Sequence, residues 1–436
     1  MPGQRRVVIT GLGVVSPLGL GVESFWQALV EGRRAVGPIS LFDASEFPCR
    51  IGGQLTDFSA RGFVPKDYRK SVKVMARDIE IAVAGADLAF KDAGLTTRTA
   101  GADKPMTVPA KRLGCNIGAG LICTDLDELG QAVNTALTDG KLDLRKWGHT
   151  GMQNLNPLWL LKYLPNMLSC HVTIVHGCEG PSNCITCGDA SGPQSIGESR
   201  SWIVRGAADA VVAGGAESKL NPMGLVRQGL LGRLCVNGHG PASACRPFDA
   251  AHAGTVLGEG GALAVLEEAN HAAARGARVY AEVAGFGAAC DPEGIDVLRP
   301  TVGGMDLAVR NALRNAGIGP EDVGVIVAHG TSVPGDDSLE SAAWRFALGD
   351  GVRRIPAVAV TGATGSLFAG AGATNVAVAA LALHNGLVPG TANFETPAAG
   401  CENLNLSAKP REVNAKYAVT AAFGTGGQSA AVVLRI

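Results

Sequence analysis

Aromatic residues are scarce in this sequence, and neither sign of charge is in excess. Only 5% of the 436 residues are aromatic, and 38 basic against 39 acidic residues leave a formal net charge of −1. Nucleic-acid and membrane-surface binding both favour a large basic excess, so we expect neither kind of partner. No window approaches 18 uninterrupted apolar residues, and we therefore expect no membrane span.

The sequence also lacks the patterns of secretion and of metal binding. The apolar run in MPGQRRVVITGLGVVSPLGLG is short and broken by glycine, unlike a signal peptide. The 11 cysteines are an odd number, and reduced thiols in a cytoplasmic protein are the expectation. Cys184 and Cys187 have C-x-x-C spacing, but no second pair follows, so we interpret them as structural and predict no metal and no cofactor.

Glycine-terminated apolar runs and alanine-rich stretches of helical spacing are what the sequence contains instead. The runs predicted to be strands include RRVVITGLGVV, LGCNIGAG, DAVVAGGAES, GALAVLEE, GVIVAHGTS and YAVTAAFGTGG. They alternate with predicted helices such as RDIEIAVAGADLAFKDAG, an order typical of layered α/β proteins. The runs fall into two sets, before and after about residue 268, which suggests a duplication. Gly11 and Gly13 form a lone G-x-G, which we interpret as a tight strand-to-helix turn rather than a dinucleotide loop.

Several segments together resemble the β-ketoacyl synthases, the condensing enzymes of the thiolase superfamily. The similar segments are RRVVITGLGVVSPLG, LPNMLSCHVTIVHGCEGPSN, ADAVVAGGAES, RPFDAAHAGTVLGEGGALAVLE, AHGTSVPGDDSLE and AAFGTGGQSAAVVL. The resemblance spans essentially the whole chain. It implies a thiolase-like, five-layered α-β-α-β-α fold of two similar halves, residues 1–268 and 269–436. It also implies a dimer that acts on acyl and malonyl groups carried by acyl carrier protein.

The resemblance places an aspartate where these enzymes have their nucleophilic cysteine. Alignment without gaps between Gly180-Pro181 and Ser191-Gly192 puts Asp189 at that position. His329, in AHGTS, matches the first of the family's two histidines. Ser366 stands at the second histidine, and Thr361 at the lysine that precedes it. The implied catalytic positions are therefore Asp189, His329 and Ser366, with one histidine remaining.

An aspartate at this position is incompatible with ordinary condensation. A carboxylate is a poor nucleophile towards a thioester, and a mixed anhydride would hydrolyse or revert. Asp189 is also a good candidate for the N-cap of the helix that follows. If ionised, it would repel a malonyl carboxylate about 4 Å away by roughly 4 kcal/mol at an effective dielectric of about 20.

Other positions implied by the resemblance concern substrate and carrier. Thr331, Phe423 and Gly424 match substrate-binding positions, and the amides of Phe423 and Asp189 would form an oxyanion site. Asp337 and Glu340 match acidic residues that organise the His329 loop. A basic docking face for acyl carrier protein, or equally a solvated helical face, would comprise Lys66, Arg69, Lys70, Lys73, Arg77, Arg200 and Arg205.

Three hypotheses for function remain open from the sequence. The first is a non-condensing partner of an active ketosynthase, comparable to a chain-length factor, in a homodimer or a heterodimer. The second is a malonyl-carrier-protein decarboxylase or thioester hydrolase that uses His329. The third is a ketosynthase that uses Cys187 as a displaced nucleophile. We also expect dimerisation through a strand near LSCHVTIVHGCEG.

Overall fold

The computed structural model describes residues 5–101, 103–236, 240–292 and 303–436. Strands up to residue 268 are β1 (Val7–Ser16), β2 (Gly19–Leu20), β3 (Val36–Pro38), β4 (Ile51–Gly53), β5 (Leu113–Gly118), β6 (Leu137–Thr138), β7 (Lys141–Leu142), β8 (Ser182–Ile185), β9 (Ala210–Ser218) and β10 (Glu259–Glu268). The later strands are β11 (Ala281–Cys290), β12 (Val323–Ala328), β13 (Ala357–Ala359), β14 (Leu387–Val388), β15 (Arg411–Glu412), β16 (Tyr417–Phe423) and β17 (Gln428–Arg435).

Helices separate most of these strands. They are α1 (Val22–Val30), α2 (Arg77–Asp92), α3 (Leu126–Thr135), α4 (Leu144–Lys146), α5 (Trp159–Tyr163), α6 (Met167–His176), α7 (Ser191–Val204), α8 (Pro222–Leu230), α9 (Ala269–Ala274), α10 (Gly304–Ala316), α11 (Pro334–Leu348), α12 (Thr361–Thr364) and α13 (Ala369–Asn385). A nine-residue 3-10 segment, Lys66–Val74, precedes α2.

The long strands pair in an order that repeats along the chain. The full order is β13-β12-β16-β17-β11-β1-β10-β9-β5-β8, and β1 and β11 meet antiparallel in the middle, where Val8 pairs with Glu282. Counting outward from that junction, each side adds two antiparallel neighbours and then two parallel ones. This symmetry supports a duplication. The boundary at residue 268 stays a prediction, and α9 beyond it still packs against β1 and β10.

Helices and strands alternate in five layers, which confirms the predicted fold class. Helices α2 and α6 cover one face of the first set of strands, and α10, with α11 packed against it, covers one face of the second. Between the two sets lie α7 and α13, which pack against each other and against strands of both. Three apolar clusters fill the spaces between these layers. The central cluster is the one that holds α7 against α13.

The glycines of the G-x-G motif have a packing role that the sequence interpretation missed. Gly11 and Gly13 lie within β1 rather than in a turn, so that interpretation was wrong. A Cβ atom at either position would collide with the backbone of α2, at Ala89 and at Gly85 respectively. Glycine thus lets α2 approach β1 closely.

One predicted strand is a helix. The run LSCHVTIVHGCEG forms most of α6, which ends at the left-handed Gly177. Leu168, Val172 and Val175 are buried at helical spacing on one side of it. The unpaired sheet edge expected there belongs instead to β8, which begins at Ser182 and pairs on one side with β5.

Candidate active site

Asp189 lies in a tight turn immediately before the central helix α7. Gly188 has a φ of 56°, the left-handed region that favours glycine. The Ser191 amide donates to the Gly188 carbonyl at 3.0 Å, and the Ser191 hydroxyl donates to the same carbonyl at 2.6 Å. The Cys187 amide in turn donates to the Ser191 hydroxyl at 2.8 Å. These bonds fix the turn, and with it the direction of the Asp189 side chain.

The Asp189 carboxylate does not cap α7. The N-cap residue is Ala190, and no side chain accepts a hydrogen bond at that helix end, so the predicted cap was wrong. Instead Asp189 Oδ2 accepts a hydrogen bond from His329 Nε2 at 3.0 Å. The side chains are 15% and 2% exposed respectively, so water has little access to the pair.

His329 follows β12 and is held by acidic residues of α11. Glu340 accepts hydrogen bonds from the amides of His329, at 2.7 Å, and Gly330, at 2.8 Å. The indole of Trp344, one turn further along the helix, donates to Glu340 at 3.0 Å. The Glu340 carboxyl is thus satisfied without the lysine that Thr361 replaces.

A second buried carboxylate fixes the next residues of this loop. Asp337 Oδ1 accepts from the amides of Thr331, at 3.0 Å, and Ser332, at 3.1 Å. Its Oδ2 accepts from the Phe248 amide at 2.8 Å and lies 3.0 Å from His252 Nδ1. Thr331 is therefore a buried loop residue whose backbone position is set by Asp337.

The surroundings of His329 favour its protonated form. Burial lowers the pKa of the imidazole, but the hydrogen bond and charge of Asp189, with the charges of Glu340 and Asp336, outweigh it and raise the pKa above its ordinary value. Nδ1 is buried and has no hydrogen-bond partner among the described residues. The Asp189 carboxyl group and the acidic residues of α11 thus favour a positively charged His329.

Phe423 and Gly424, which were predicted to bind substrate, lie beside the Asp189–His329 pair. Phe423 ends β16, and its ring centroid is 5.2 Å from that of His329 in an edge-on arrangement. The Gly424 backbone runs beside the Asp189 turn, since a Cβ atom at Gly424 would lie 3.6 Å from the Asp189 amide nitrogen. The two backbone segments therefore meet beside the carboxylate. The oxyanion site formed by their amides stays a prediction.

The segment that replaces the second histidine motif contacts the site through Thr361. The Thr361 hydroxyl donates to the His329 carbonyl at 3.0 Å. Ser366 is buried; its amide donates to the Val256 carbonyl, and its carbonyl accepts from the Gly258 amide, both at 2.8 Å. The backbone of Ser366 is thus tied to the strand-like segment before β10, and its catalytic role stays a prediction.

Only part of the predicted basic face is available to a partner. Four of its residues are exposed on the 3-10 segment before α2: Lys66, Arg69, Lys70 and Lys73. Arg77 instead makes two hydrogen bonds of 2.9 Å to the fully buried Glu259. Arg200 donates to the carbonyls of Val283 and Ala284. Both guanidinium groups are thus engaged within the chain, and their part in the face stays a prediction.

Arg205 is exposed but lies apart from the 3-10 segment. It follows the C-terminal end of α7, next to Gly206, whose carbonyl accepts a bond from Arg112 at the start of β5. The 3-10 segment instead leads into the N-terminal end of α2, where Arg77 meets Glu259 opposite Ser218 at the end of β9. Strands β5 and β9 run parallel. Arg205 therefore lies near the start of these strands, whereas the 3-10 segment lies near their other end.

Cys187 is poorly suited to act as the nucleophile. It is half-buried two residues before Asp189, and burial raises the pKa of its thiol above the ordinary value. The thiolate, the reactive form, is therefore disfavoured at neutral pH. The other C-x-x-C residue, Cys184, donates to the Pro165 carbonyl at 3.2 Å. Among the residues that the structure describes, no group of three or more His, Cys, Asp or Glu side chains is arranged to hold a metal ion.

Two supporting residues were missed in the sequence. Trp344 donates a hydrogen bond to Glu340, and His252 lies within hydrogen-bonding distance of Asp337. Both carboxylates belong to α11 and bind the backbone of the His329 loop. His252 stands in the segment RPFDAAHAG, and its position three residues after the Arg-Pro-Phe-Asp run was the one available signal. No local pattern pointed to Trp344. No helix within the described ranges has the length and apolar character to cross a bilayer.

Comparisons with known proteins agree along almost the whole chain. Residues 4–272 match the beta-ketoacyl synthase N-terminal domain, and residues 280–395 match the beta-ketoacyl synthase C-terminal domain. The 3-oxoacyl-[acyl-carrier-protein] synthase 2 of Synechocystis sp. is 33% identical over 432 residues, covering 99% of this chain and 98% of that protein. The granaticin polyketide putative beta-ketoacyl synthase 1 of Streptomyces violaceoruber is 33% identical over 434 residues, with the same coverage.

Solved structures give the same result. The ishigamide ketosynthase/chain length factor superposes with a TM-score of 0.84 at 27% identity, and covers 99% of each chain. A beta-ketoacyl synthase from Burkholderia phymatum gives 0.86 at 28% identity, again over 99% of each chain. A type II acyl-carrier protein in complex with its ketosynthase, AntDE:AntF, gives 0.83 at 26% identity and 99% of each chain. The chain therefore belongs to the beta-ketoacyl synthase family, alongside relatives of type II fatty acid and polyketide biosynthesis.

Proposed function

We propose that this protein is a non-condensing member of its family, which binds acyl carrier protein and acts together with an active ketosynthase. One observation carries the proposal: the position of the nucleophile holds the Asp189 carboxylate, which is hydrogen-bonded at 3.0 Å to His329. Both the missing thiol and the engaged histidine oppose condensation.

The chemistry of condensation requires two things that this site does not offer. The acyl group must be held as a thioester, and a carboxylate would yield a mixed anhydride that water cleaves. Imidazole N–H groups must then donate to the thioester oxygen as carbon dioxide leaves. Here the Nε2 hydrogen of His329 is directed at Asp189. Ser366, at the position of the second histidine, has no imidazole to offer.

A role as the partner of an active ketosynthase explains why the fold is intact although the cysteine and the second histidine are absent. The amides of His329 and Gly330 are bonded to Glu340, and a continuous apolar cluster packs the central layers. The ishigamide structure pairs a ketosynthase with a chain length factor, and the AntDE:AntF structure pairs a ketosynthase with its carrier protein. By analogy with these structures, this chain contributes part of the binding surface and of the acyl tunnel, and the other chain supplies the nucleophile.

Acyl carrier protein is the second proposed partner. Lys66, Arg69, Lys70 and Lys73 present four positive charges on one exposed segment. An acidic carrier is attracted to such a cluster over about 10 Å at 0.1 M salt. The segment leads into α2 at the same end of the strands as the Asp189 turn. A carrier protein docked on the segment would therefore lie on the side of the molecule that holds the candidate site.

A condensation assay tests this function. Octanoyl- and malonyl-carrier protein are incubated with the purified chain, with an active ketosynthase from the same cells, and with both together. We expect no 3-oxoacyl product from the chain alone, and a changed rate or product length when both are present. A 3-oxoacyl product from the chain alone, or no difference when it is added, would contradict the proposal.

A second function, decarboxylation or thioester hydrolysis, is favoured by the Asp189–His329 pair itself. A buried carboxylate beside a histidine of raised pKa is a general acid–base arrangement. Release of free octanoate or of carbon dioxide by the chain alone, lost in His329→Ala, would support this function over the first.

A further inference from the structure

Two non-glycine residues with left-handed backbone meet at one carboxyl group beside the candidate site. Phe248 has a φ of 62° and Ser332 a φ of 66°, and both residues are fully buried. Residues other than glycine adopt this region at a cost, so each position is strained. The amides of both donate to Asp337, at 2.8 Å and 3.1 Å, and the Thr331 amide adds a third bond at 3.0 Å. Asp337 therefore holds two strained segments of backbone together, and one of them is the His329 loop.

The charge of Asp337 is compensated by a histidine. The Asp337 side chain is 0% exposed, and a carboxylate buried without a cation beside it is costly. His252 Nδ1 lies 3.0 Å from Asp337 Oδ2, and His252 is the one ion-pair partner of Asp337 among the residues that the structure describes. Burial raises the pKa of Asp337, and the hydrogen bond of His252 is the largest influence that lowers it. The protonation of this imidazole thus sets how well the buried charge is compensated.

The other charged and titratable groups around this pair are bound elsewhere or stay neutral. They are two arginines with carboxylate partners of their own, one carboxylate bound to backbone amides, and two thiols whose pKa is raised by burial: Arg246 with Asp249 and Glu395, Arg233 with Asp336, Glu340, Cys245 and Cys401. Histidine is the side chain that changes charge near neutral pH. In this region that leaves the imidazoles of His252 and His329.

We propose that His252 is a positioning residue of the candidate site, whose positive charge holds the Asp337 carboxylate and, through it, the backbone of the His329 loop. The loop then opens more readily when His252 loses its proton. The proposal concerns the geometry of the site, and it does not depend on whether the protein condenses acyl groups.

The direction of the pH dependence follows from the charges. Protonated His252 donates from Nδ1 to Asp337 in a charge-assisted hydrogen bond, which is stronger than a neutral one. When the proton leaves for the solvent, the imidazole keeps at most a neutral N–H, and the buried carboxylate has only amides as partners. Opening of the loop, which hydrates the carboxylate and relieves the strain at Ser332, then costs less. The closed loop is therefore favoured at low pH, and this advantage is lost as the pH rises.

Hydrogen exchange of the Thr331 and Ser332 amides in the full chain tests the proposal, because both amides donate to Asp337 Oδ1. We expect their protection factors, corrected for the intrinsic effect of pH, to fall by about tenfold between pH 6 and pH 8.5. His252→Gln keeps a side-chain donor without a charge, so protection should be low at both pH values. His252→Arg is charged at both, so protection should stay high. Amides of β9, in the other set of strands, should keep their protection in all three proteins.

His329 needs a separate control, since its raised pKa also favours a loop that is more stable at low pH. In His329→Gln the fall in protection should remain, whereas in His252→Gln it should disappear. The opposite result, a fall that persists in His252→Gln and is lost in His329→Gln, would overturn the proposal. Equal protection of the parent at pH 6 and pH 8.5 would also overturn it. So would an equal fall in the β9 amides, because the whole molecule and not the loop would then be responding to pH.

Discussion

At the scale of single residues, the Asp189–His329 hydrogen bond decides what the site can do. It joins a residue before α7 to a residue after β12, 140 positions apart. The carboxylate stands where the resemblance places the nucleophile, and it also raises the pKa of His329. A single substitution at 189 should therefore change both the charge and the reactivity of the site.

The titration of His329 should depend on Asp189. In Asp189→Asn we expect a lower imidazole pKa, because burial then opposes protonation with less compensation. Since the folded-state pKa of the parent is raised, the stabilisation is present below the unfolded value of about 6.5 and is lost as pH rises through the folded value. The stability lead of the parent over Asp189→Asn should be largest, about 1.5–3 kcal/mol, near pH 6.

NMR of the imidazole resonances and urea unfolding at several pH values measure these two quantities. A His329 pKa that is unchanged in Asp189→Asn would contradict the ion pair. A stability difference that grows as pH rises would contradict the sign of the shift.

Loss of the negative charge should also help a malonyl group to enter. Asp189→Asn keeps the shape of the side chain, and it should release carbon dioxide from malonyl-carrier protein about tenfold faster than the parent, equivalent to about 1.4 kcal/mol. The neighbouring His329, whose pKa is raised, offsets part of the repulsion in the parent, so the gain is smaller than for an isolated carboxylate. Carbon dioxide release from both proteins at pH 7 is the measurement. A faster parent would mean that Asp189 takes part in catalysis.

Sequence alone predicted which residues meet at this site better than how they interact. The alignment through GDASG and AHGTS put Asp189 and His329 in one site, and they lie 3.0 Å apart. The local rule that aspartate caps helices predicted the wrong partner, because Asp189 bonds to a histidine from a distant loop instead of the helix amides. Arg77 and Arg200 likewise bond to groups that are remote in sequence, which no local pattern indicates.

At the scale of elements, strands ending in glycine were predicted well and one apolar run was not. The buried strands β1, β5, β9, β10, β12 and β16 coincide with runs quoted from the sequence. In LSCHVTIVHGCEG, four consecutive residues from Val172 to Val175 favour a strand by propensity. Packing of Leu168, Val172 and Val175 against α2 prevails, because helical spacing buries all three on one side.

The edge strand β8 should carry dimerisation. Its residues 181, 183 and 185 face β5, as shown by the bonds from Cys115 to Pro181 and from Ala119 to Ile185, so Ser182 presents its amide to the open edge. Nearby Ile174 of α6 is 52% exposed. Ser182→Pro removes the outward amide but no bond to β5, and it should weaken self-association at least tenfold.

Sedimentation at about 10 µM measures this association, and Ser182→Ala, which keeps the amide, is the matched control. We expect a dimer for the parent and the alanine variant, and a monomer for the proline variant. A dimer that survives the proline substitution would place the interface elsewhere. A monomeric parent would contradict homodimerisation and point to a different chain as partner.

At the scale of the whole molecule, the site forms where the two sets of strands meet. Asp189 precedes a helix that packs on β5 and β9, whereas His329 follows β12 and Phe423 ends β16 in the other set. Any substitution that leaves both sets intact therefore leaves the site's backbone in place. The fold is therefore compatible with the proposed loss of the nucleophile, because the residue at 189 does not determine how the two sets of strands pack.

Intact-protein mass spectrometry after incubation with octanoyl-carrier protein tests the central claim most directly. The account predicts no added octanoyl mass on the parent, because neither Asp189 nor Cys187 holds a stable acyl group. Asp189→Cys should gain the octanoyl mass weakly, and Asp189→Cys with Ser366→His more strongly, which shows that the assay detects loading. A stable octanoyl adduct on the parent, mapped to Asp189 or Cys187, would contradict the account.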